Sequence, residues 1–148
     1  MKMIFIVAAA FSFFLFAAAK DSFPGLRNNT PKAMAKKTVK LTVTAYYKPL
    51  PNQKKYATGS YRGDLRLNGS GRTFSGKEAS EDFAAADITI LPIGTVIKVP
   101  GHKVVQVEDT GGDIKGEKLD IFMGSGDEGL KKALEWGKKK LAVEILLK

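Results

Sequence analysis

The chain has 148 residues, with 24 Lys or Arg against 15 Asp or Glu, and its formal net charge at pH 7 is +9. It contains no Cys, which excludes structural disulfides and a lipoprotein anchor. The lysines are scattered and are not interleaved with aromatic residues that would stack on bases, which favours a solvated surface and predicts no nucleic-acid partner.

The first predicted element is a secretory signal peptide over residues 1–19. Lys2 supplies a charged start, an apolar run from Met3 to Phe16 follows, and Ala17–Ala19 offers a small-residue cleavage site. An uncleaved membrane anchor is the alternative, although the apolar run is at the short end for a spanning helix. The sequence therefore predicts an exported protein of the periplasm or cell envelope, with no stable membrane insertion after cleavage.

Residues 20–37 lack a hydrophobic period and predict a flexible lead, so a single domain is expected over residues 38–148. That domain starts with "TVKLTVTAYY", where Val39, Leu41 and Val43 alternate with polar residues as in a half-buried strand. Residues 48–80 have little periodicity and predict a long surface excursion. Loops of that length inside a compact domain tend to be functional.

Short apolar segments then follow in quick succession. "GTVIKVP" and "HKVVQVED" predict two strands that pair across the turn at Pro100–Gly101, and "KLDIFM" predicts a third. The last segment, "LAVEILL", alternates as a final strand. Many short strands in so small a domain indicate a closed β-barrel.

One segment predicts a helix, "SGDEGLKKALEWGKK", just before the final strand. Ser125 or Asp127 can cap its start, and Gly137 ends it. Leu130, Ala133 and Leu134 are expected to share the face that packs against the rest of the domain.

Three carboxylates are candidate functional groups because of their surroundings. Asp87 follows three alanines at the expected entrance of a strand, Asp109 ends a strand at a Gly-rich turn, and Asp120 lies within "KLDIFM". Burial beside apolar side chains raises a carboxyl pKa, as a general acid near neutral pH requires. The alternatives are structural: Asp120 can face outward from an alternating strand, and Asp109 can be a turn residue that binds its own backbone.

Residues 109–111 spell Asp-Thr-Gly, the tripeptide that holds the catalytic carboxylate of aspartic proteases. Such a site needs two of these tripeptides, whose carboxyls share a proton, and this chain has one. Glu108 also interrupts the apolar strand expected before it. These features argue against a peptidase.

Several sequence blocks, taken together and in order, are similar to a known family. The blocks are "TVTAYY", "RTFSG", "PIGT", "DTGGDIKG", "LDIF" and "EWGKKKL", and they cover the chain from about Leu41 to its end. With the spacing of the aspartates, they resemble the three-aspartate domain, found at the C-terminus of membrane-bound lytic transglycosylase A and in small muralytic proteins of the stationary-phase-survival type. The resemblance implies a six-stranded double-psi β-barrel with one helix before the last strand.

The resemblance also implies a groove in which three aspartates converge. Asp120 would be the catalytic acid and base, and Asp109 and Asp87 would support it. The residues implied to bind substrate along the groove are Thr73, Thr110 and Lys115. Residues 48–72 depart from the family pattern in their length and basicity.

The activity that the resemblance implies is lytic transglycosylation of peptidoglycan glycan strands. The bond between N-acetylmuramic acid (MurNAc) and N-acetylglucosamine (GlcNAc) is cut without water, because the C6 hydroxyl of MurNAc closes a 1,6-anhydro ring. We expect no metal, no cofactor, and a monomer or weak dimer. Two alternatives stay open: a barrel that binds cell-wall glycan without cutting it, and a glycoside hydrolase with Asp109 or Asp87 as the base.

Overall fold

The computed structural model describes residues 37–147. The predicted signal peptide over residues 1–19, and all of the predicted lead except Lys37, lie outside the described residues. Of the helices in the described part of the chain, none has the length and apolarity needed to span a bilayer.

Residues 37–147 form six strands and two helices. The strands are β1 (Lys37–Lys48), β2 (Phe83–Ala86), β3 (Val96–Lys98), β4 (Val104–Asp109), β5 (Lys118–Ser125) and β6 (Lys139–Leu147). The helices are α1 (Tyr61–Asn68) and α2 (Gly126–Trp136). The strands close into a mixed barrel in the order β1-β5-β2-β4-β3-β6, which confirms the expected six-stranded fold with a helix before its last strand.

Alternation along β1 and β5 fills the barrel. Leu41 and Val43 of β1 meet Leu119 and Ile121 of β5 in the core, where none of the four is more than 2% exposed. The two strands run parallel, and the residues between these four point to the outside of the barrel. Asp120 therefore faces outward, as one alternative predicted, and its chemistry depends on what covers that outer face.

Helix α2 has the expected bounds, and two of the three residues expected to share its packed face lie inward, since Leu130 is buried and Ala133 packs against the core. Gly129, Ala133 and Trp136 lie on the side of α2 that packs against the barrel, whereas Leu134 is 68% exposed. At 3.6 residues per turn, Leu134 lies about a third of a turn from the centre of that side. The expectation that Leu134 is buried was wrong, because the apolar residues of α2 do not form one stripe.

The excursion over residues 48–72 is ordered around one buried carboxylate and contains a helix, α1, that the sequence analysis did not predict. Asp64 in α1 has no exposed surface. The groups that donate hydrogen bonds to its carboxylate are the Tyr47 hydroxyl, the Ala57 and Thr58 N–H groups and the Thr58 hydroxyl. Since Tyr47 belongs to β1, Asp64 fastens the excursion to the barrel.

Candidate active site

A row of paired residues crosses four neighbouring strands on the outer face of the barrel. Thr44 of β1 pairs with Asp120 of β5, which pairs with Ala85 of β2, and Ala85 pairs in turn with Asp109 of β4. Directly paired residues project from the same side of a sheet. Two interstrand spacings place the backbones of Asp120 and Asp109 about 10 Å apart, and the small side chain of Ala85 leaves the space between them open.

The surroundings of Asp120 shift its pKa toward neutral pH, so that a fraction of the molecules stays protonated there. Burial is the largest influence and raises the pKa of Asp120 to about 6, the hydrogen bond from Thr44 lowers it, and the charge of Asp109 raises it. The Thr44 hydroxyl donates to Oδ1 at 2.9 Å. With a pKa near 6, roughly a tenth of the molecules carry this proton at pH 7, so Asp120 is able both to donate and to accept a proton there.

Asp109 is held in place by three donors. Its Oδ1 accepts the N–H of Phe74 at 2.8 Å and of Thr110 at 2.9 Å, and its Oδ2 accepts the Tyr46 hydroxyl at 3.4 Å. Burial and the charges of Asp109 and Asp120 raise the pKa of Tyr46, which keeps this phenol protonated and able to donate. Asp109 thus binds its neighbouring backbone, as the turn alternative predicted, and also acts on Asp120.

A β-bulge places the side chain of Asp109 on this outer face. Val105 and Val107 point into the core, so strict alternation would place Asp109 inside the barrel as well. The pairing of β2 with β4 shifts register by one residue between Ala84 and Ala85, and the extra residue on β4 is Glu108. Glu108 is 2% exposed and forms an ion pair with Lys77 at 2.6 Å. The bulge therefore turns Asp109 toward Asp120.

A groove of about 470 Å³ lies over the row, a size usual for small-molecule sites. Its floor includes Tyr46, Ala85, Asp109 and Asp120. One wall is the segment from Thr110 to Ile114, and the other wall comes from the end of α1 and the residues after it, namely Arg66, Leu67, Asn68, Gly69 and Arg72. The excursion that departs from the family pattern thus forms one side of the groove.

Asp87, the third expected aspartate, is occupied with local hydrogen bonds. Oδ1 accepts the N–H and the hydroxyl of Thr89, and Oδ2 accepts the Gly116 N–H at 2.8 Å. The hydrogen bonds from Thr89 and Gly116, with a further contribution from Lys115, lower the pKa of Asp87 to about 2. It follows the end of β2 and does not precede a strand as expected. Asp87 fastens the loop before β5 and is not among the groove-lining residues.

The residues implied to bind substrate separate into two groups. Thr110 lines the groove, and its hydroxyl is buried without a hydrogen-bond partner among the described residues. Thr73 is buried in its own turn, where its hydroxyl contacts Ser75 and the backbone of Lys77, and Lys115 is exposed beside Asp87. Neither Thr73 nor Lys115 is among the groove-lining residues, and the substrate-binding roles expected for all three stay predictions.

Sequence reasoning missed two partners of the aspartates, Thr44 and Tyr46. Both lie in the segment "TVTAYY" on β1, but nothing local in the sequence pairs that strand with β5. Within residues 37–147, no group of three or more His, Asp or Glu side chains converges as metal ligands would.

Comparisons with known proteins agree with the resemblance. Residues 83–147 match the family model of the 3D domain, which confirms the similarity to the three-aspartate family. The chain is 29% identical over 121 residues to the cell wall-binding protein YocH of Bacillus subtilis, covering 82% of this chain and 37% of that protein. It is 34% identical over 62 residues to the putative cell wall shaping protein YabE of the same organism, covering 42% of this chain and 14% of that protein. The chain therefore spans much less than half the length of either relative.

Two crystal structures of MltA from Escherichia coli are also similar over half of the chain. One, described as a lytic transglycosylase fold, has 25% identity and a TM-score of 0.44, and covers 50% of this chain and 26% of that chain. The other, with bound chitohexaose, has 24% identity, a TM-score of 0.45 and the same coverage.

Proposed function

We propose that this chain, whose residues 83–147 match the family model of the 3D domain, is an exported lytic transglycosylase of the cell envelope. It cuts the MurNAc–GlcNAc bond of peptidoglycan and leaves 1,6-anhydro-MurNAc ends. The names of two relatives, cell wall-binding and cell wall shaping, support a substrate in the cell wall. One observation carries the catalytic part: Asp120, a carboxyl with a pKa raised to about 6, lies in the floor of an open groove.

The first step is protonation of the glycosidic oxygen by Asp120. Thr44 binds Oδ1, so Oδ2 is the atom that gives the proton. The bond between C1 of MurNAc and that oxygen then breaks, and GlcNAc leaves with the donated proton on its new hydroxyl. Positive charge develops at C1, and the nearby carboxylate of Asp109 stabilises it.

The second step closes the anhydro ring and restores the enzyme. The Asp120 carboxylate takes the proton of the C6 hydroxyl while the C6 oxygen bonds to C1. No water is consumed, and Asp120 ends the cycle protonated as it began. The nucleophile belongs to the same sugar, which removes the entropic cost of bringing in a second molecule.

The contacts of the other carboxylates support this route over hydrolysis. A hydrolase needs a second group to activate water or attack C1. Asp109 and Asp87 each accept three hydrogen bonds, which take up most of the acceptor sites of a carboxylate. Neither is well placed to bind and deprotonate a water molecule.

A second candidate is a domain that binds cell-wall glycan without cutting it, which the name of the first relative favours. Mass spectrometry of purified peptidoglycan after incubation with the protein separates the candidates. Transglycosylation predicts fragments that end in anhydro-MurNAc, lighter by one water than reducing ends. Reducing ends would show hydrolysis, and sedimentation with peptidoglycan without released fragments would show a binding domain.

A further inference from the structure

One wall of the groove carries two guanidinium groups that the proton-transfer chemistry does not use. Arg66 lies in the last turn of α1, and Arg72 follows the helix by four residues. Both are exposed, and both line the same groove as Asp120. The opposite wall, from Thr110 to Ile114, has no Lys or Arg.

Both guanidinium groups are without a carboxylate partner among the described residues, although Asp109, Asp113 and Asp120 line the same groove. Within residues 37–147, no ion pair involves Arg66 or Arg72. Arg72 gives one hydrogen bond, from Nη1 to the Gly76 carbonyl at 2.8 Å, which orients the side chain and leaves most of its five N–H donors for another partner. Asp109 is the charged neighbour that raises the pKa of Asp120, and within residues 37–147 no ion pair joins Asp120 to either arginine.

The wall that holds the arginines is fixed to the fold. Asp64 fastens α1 to β1, and Asn68 closes the end of the helix with a hydrogen bond to the Asp64 carbonyl at 3.2 Å. Gly71, between the helix and Arg72, has φ of +87°, and a Cβ there would lie 2.5 Å from the Lys48 side chain. Glycine adopts this backbone conformation without the strain that an L side chain would meet there. The two guanidinium groups are thus carried by an ordered wall.

We propose that Arg66 and Arg72 bind a carboxylate carried by MurNAc, so that the groove selects anionic muroglycan over a neutral GlcNAc polymer. This inference rests on the proposed peptidoglycan substrate. MurNAc differs from GlcNAc by its lactyl ether, whose carboxyl is free in peptide-stripped glycan and carries the peptide stem in intact peptidoglycan. The stem has carboxylates of its own. A planar guanidinium binds a carboxylate through two parallel hydrogen bonds, which makes arginine suited to this recognition.

The test measures Kd by calorimetry for three soluble oligosaccharides: chitohexaose, a peptide-stripped GlcNAc–MurNAc oligosaccharide, and the same oligosaccharide with its peptide stems. For the two that contain a MurNAc–GlcNAc bond it also measures kcat/KM. The variants are Arg66→Gln and Arg72→Gln. Arg62→Gln is the matched control, because Arg62 is exposed on the same helix but does not line the groove. Within residues 37–147, no side-chain hydrogen bond or ion pair involves Arg66, so Arg66→Gln should keep the Tm of the wild type.

We expect each groove variant to lose about 10-fold or more of affinity and of kcat/KM on a MurNAc oligosaccharide, which is the loss typical of a charge-assisted hydrogen bond. Its affinity for chitohexaose should fall by less than about 2-fold. A loss on the stripped glycan assigns the lactyl carboxylate, and a loss only on the stem-bearing glycan assigns the stem. Equal losses on all three substrates, or losses no larger than those of Arg62→Gln, overturn the inference. If the wild type releases no product, titration of the oligosaccharides by calorimetry gives the same comparison as Kd, so the inference is tested separately from the proposed activity.

Discussion

Three features of its surroundings act on the pKa of Asp120, and they do not all act in the same direction. Burial and the charge of Asp109 raise its pKa, and the Thr44 hydroxyl lowers it. With the resulting pKa near 6, Asp120 is able to donate its proton in the first step and to accept one in the second step. Because the proton donor is the protonated form, activity should decline as the pH rises through about 6.

Two substitutions should move that decline in opposite directions. Asp109→Asn removes a negative neighbour, so the pKa of Asp120 falls and the decline moves to lower pH. Thr44→Val removes a hydrogen bond to the charged form, so the pKa rises and the decline moves to higher pH. Loss of a hydrogen bond worth about 1 kcal/mol should displace the pH at which activity declines by about half a unit or more.

The measurement is the pH dependence of kcat/KM for both variants beside the wild type. Asp82→Asn is a suitable control, because Asp82 is exposed and forms an ion pair with Lys103 at 2.8 Å, away from the groove-lining residues. If neither decline moves, Thr44 and Asp109 do not act on the proton of Asp120, and if both move in the same direction, one of the two does not act on it as proposed.

At the scale of elements, the site depends on two departures from regular structure. The bulge at Glu108 turns Asp109 out of the core, and the excursion between β1 and β2 supplies a groove wall. The excursion contributes few apolar side chains to the core and relies on hydrogen bonds to Asp64. Asp64 should therefore be the residue on which the order of this wall depends most.

Asp64→Asn should lower the free energy of unfolding by about 2 kcal/mol or more at pH 7, because an amide cannot accept from all four donors. Burial works to raise the pKa of Asp64, but hydrogen bonds from Thr58 and Tyr47 outweigh it, and the pKa is lowered overall. A lowered pKa in the folded state gives stability that is present above the unfolded value and is lost as the pH falls through the folded one.

Denaturant unfolding of both proteins between pH 7 and pH 2 checks this expectation. The difference between wild type and Asp64→Asn should be largest at pH 7 and shrink in acid. Asp127→Asn serves for comparison, because the Asp127 carboxylate also binds the excursion, accepting from the Lys54 and Lys55 N–H groups. Since Asp127 is exposed, its replacement should lower the free energy of unfolding by less than Asp64→Asn does. An Asp64→Asn protein as stable as the wild type at pH 7 would mean that the wall does not depend on this carboxylate.

Prediction from sequence succeeded where a pattern is local. Alternating apolar residues predicted β1, β5 and β6, and Gly137 with the acidic first turn predicted α2. Strand β2 was missed because "FAAA" has no alternation of apolar and polar residues. The small side chain of Ala85 in this strand leaves open the space between Asp109 and Asp120, the two residues with which it pairs. Helix α1 was missed because its only buried residue is polar, so it shows no apolar stripe.

The site was predicted in part, for the same reason. Asp109 and Asp120 stand out in their segments, because one precedes a Gly-rich turn and the other interrupts an apolar run. Their partner Thr44 depends on the pairing of β1 with β5, between residues 76 positions apart. Register over that distance is decided by barrel closure and not by neighbours in the sequence.

At the scale of the whole molecule, β6 closes the barrel. It pairs antiparallel with both β1 and β3, and Val143 within it is fully buried. Removal of residues 141–148 would open both of these ladders and expose two strand edges. We expect the truncated protein to lose its cooperative unfolding transition in calorimetry, and a Tm equal to that of the full chain would contradict this view of the fold.

The central claim is that Asp120 alone carries the proton in both steps, and the release of anhydro-MurNAc fragments by Asp120→Asn tests it most directly. Asparagine keeps the size of the side chain but cannot exchange the proton, and the fold should be as stable as before or slightly more so, because a buried charge is removed. We expect fragment release, followed by mass spectrometry on purified peptidoglycan, to fall by about 10²–10⁴-fold. Asp109→Asn should retain more activity than Asp120→Asn. An Asp120→Asn protein that is nearly as active as the wild type, beside an inactive Asp109→Asn protein, would contradict the assignment and reverse the two roles.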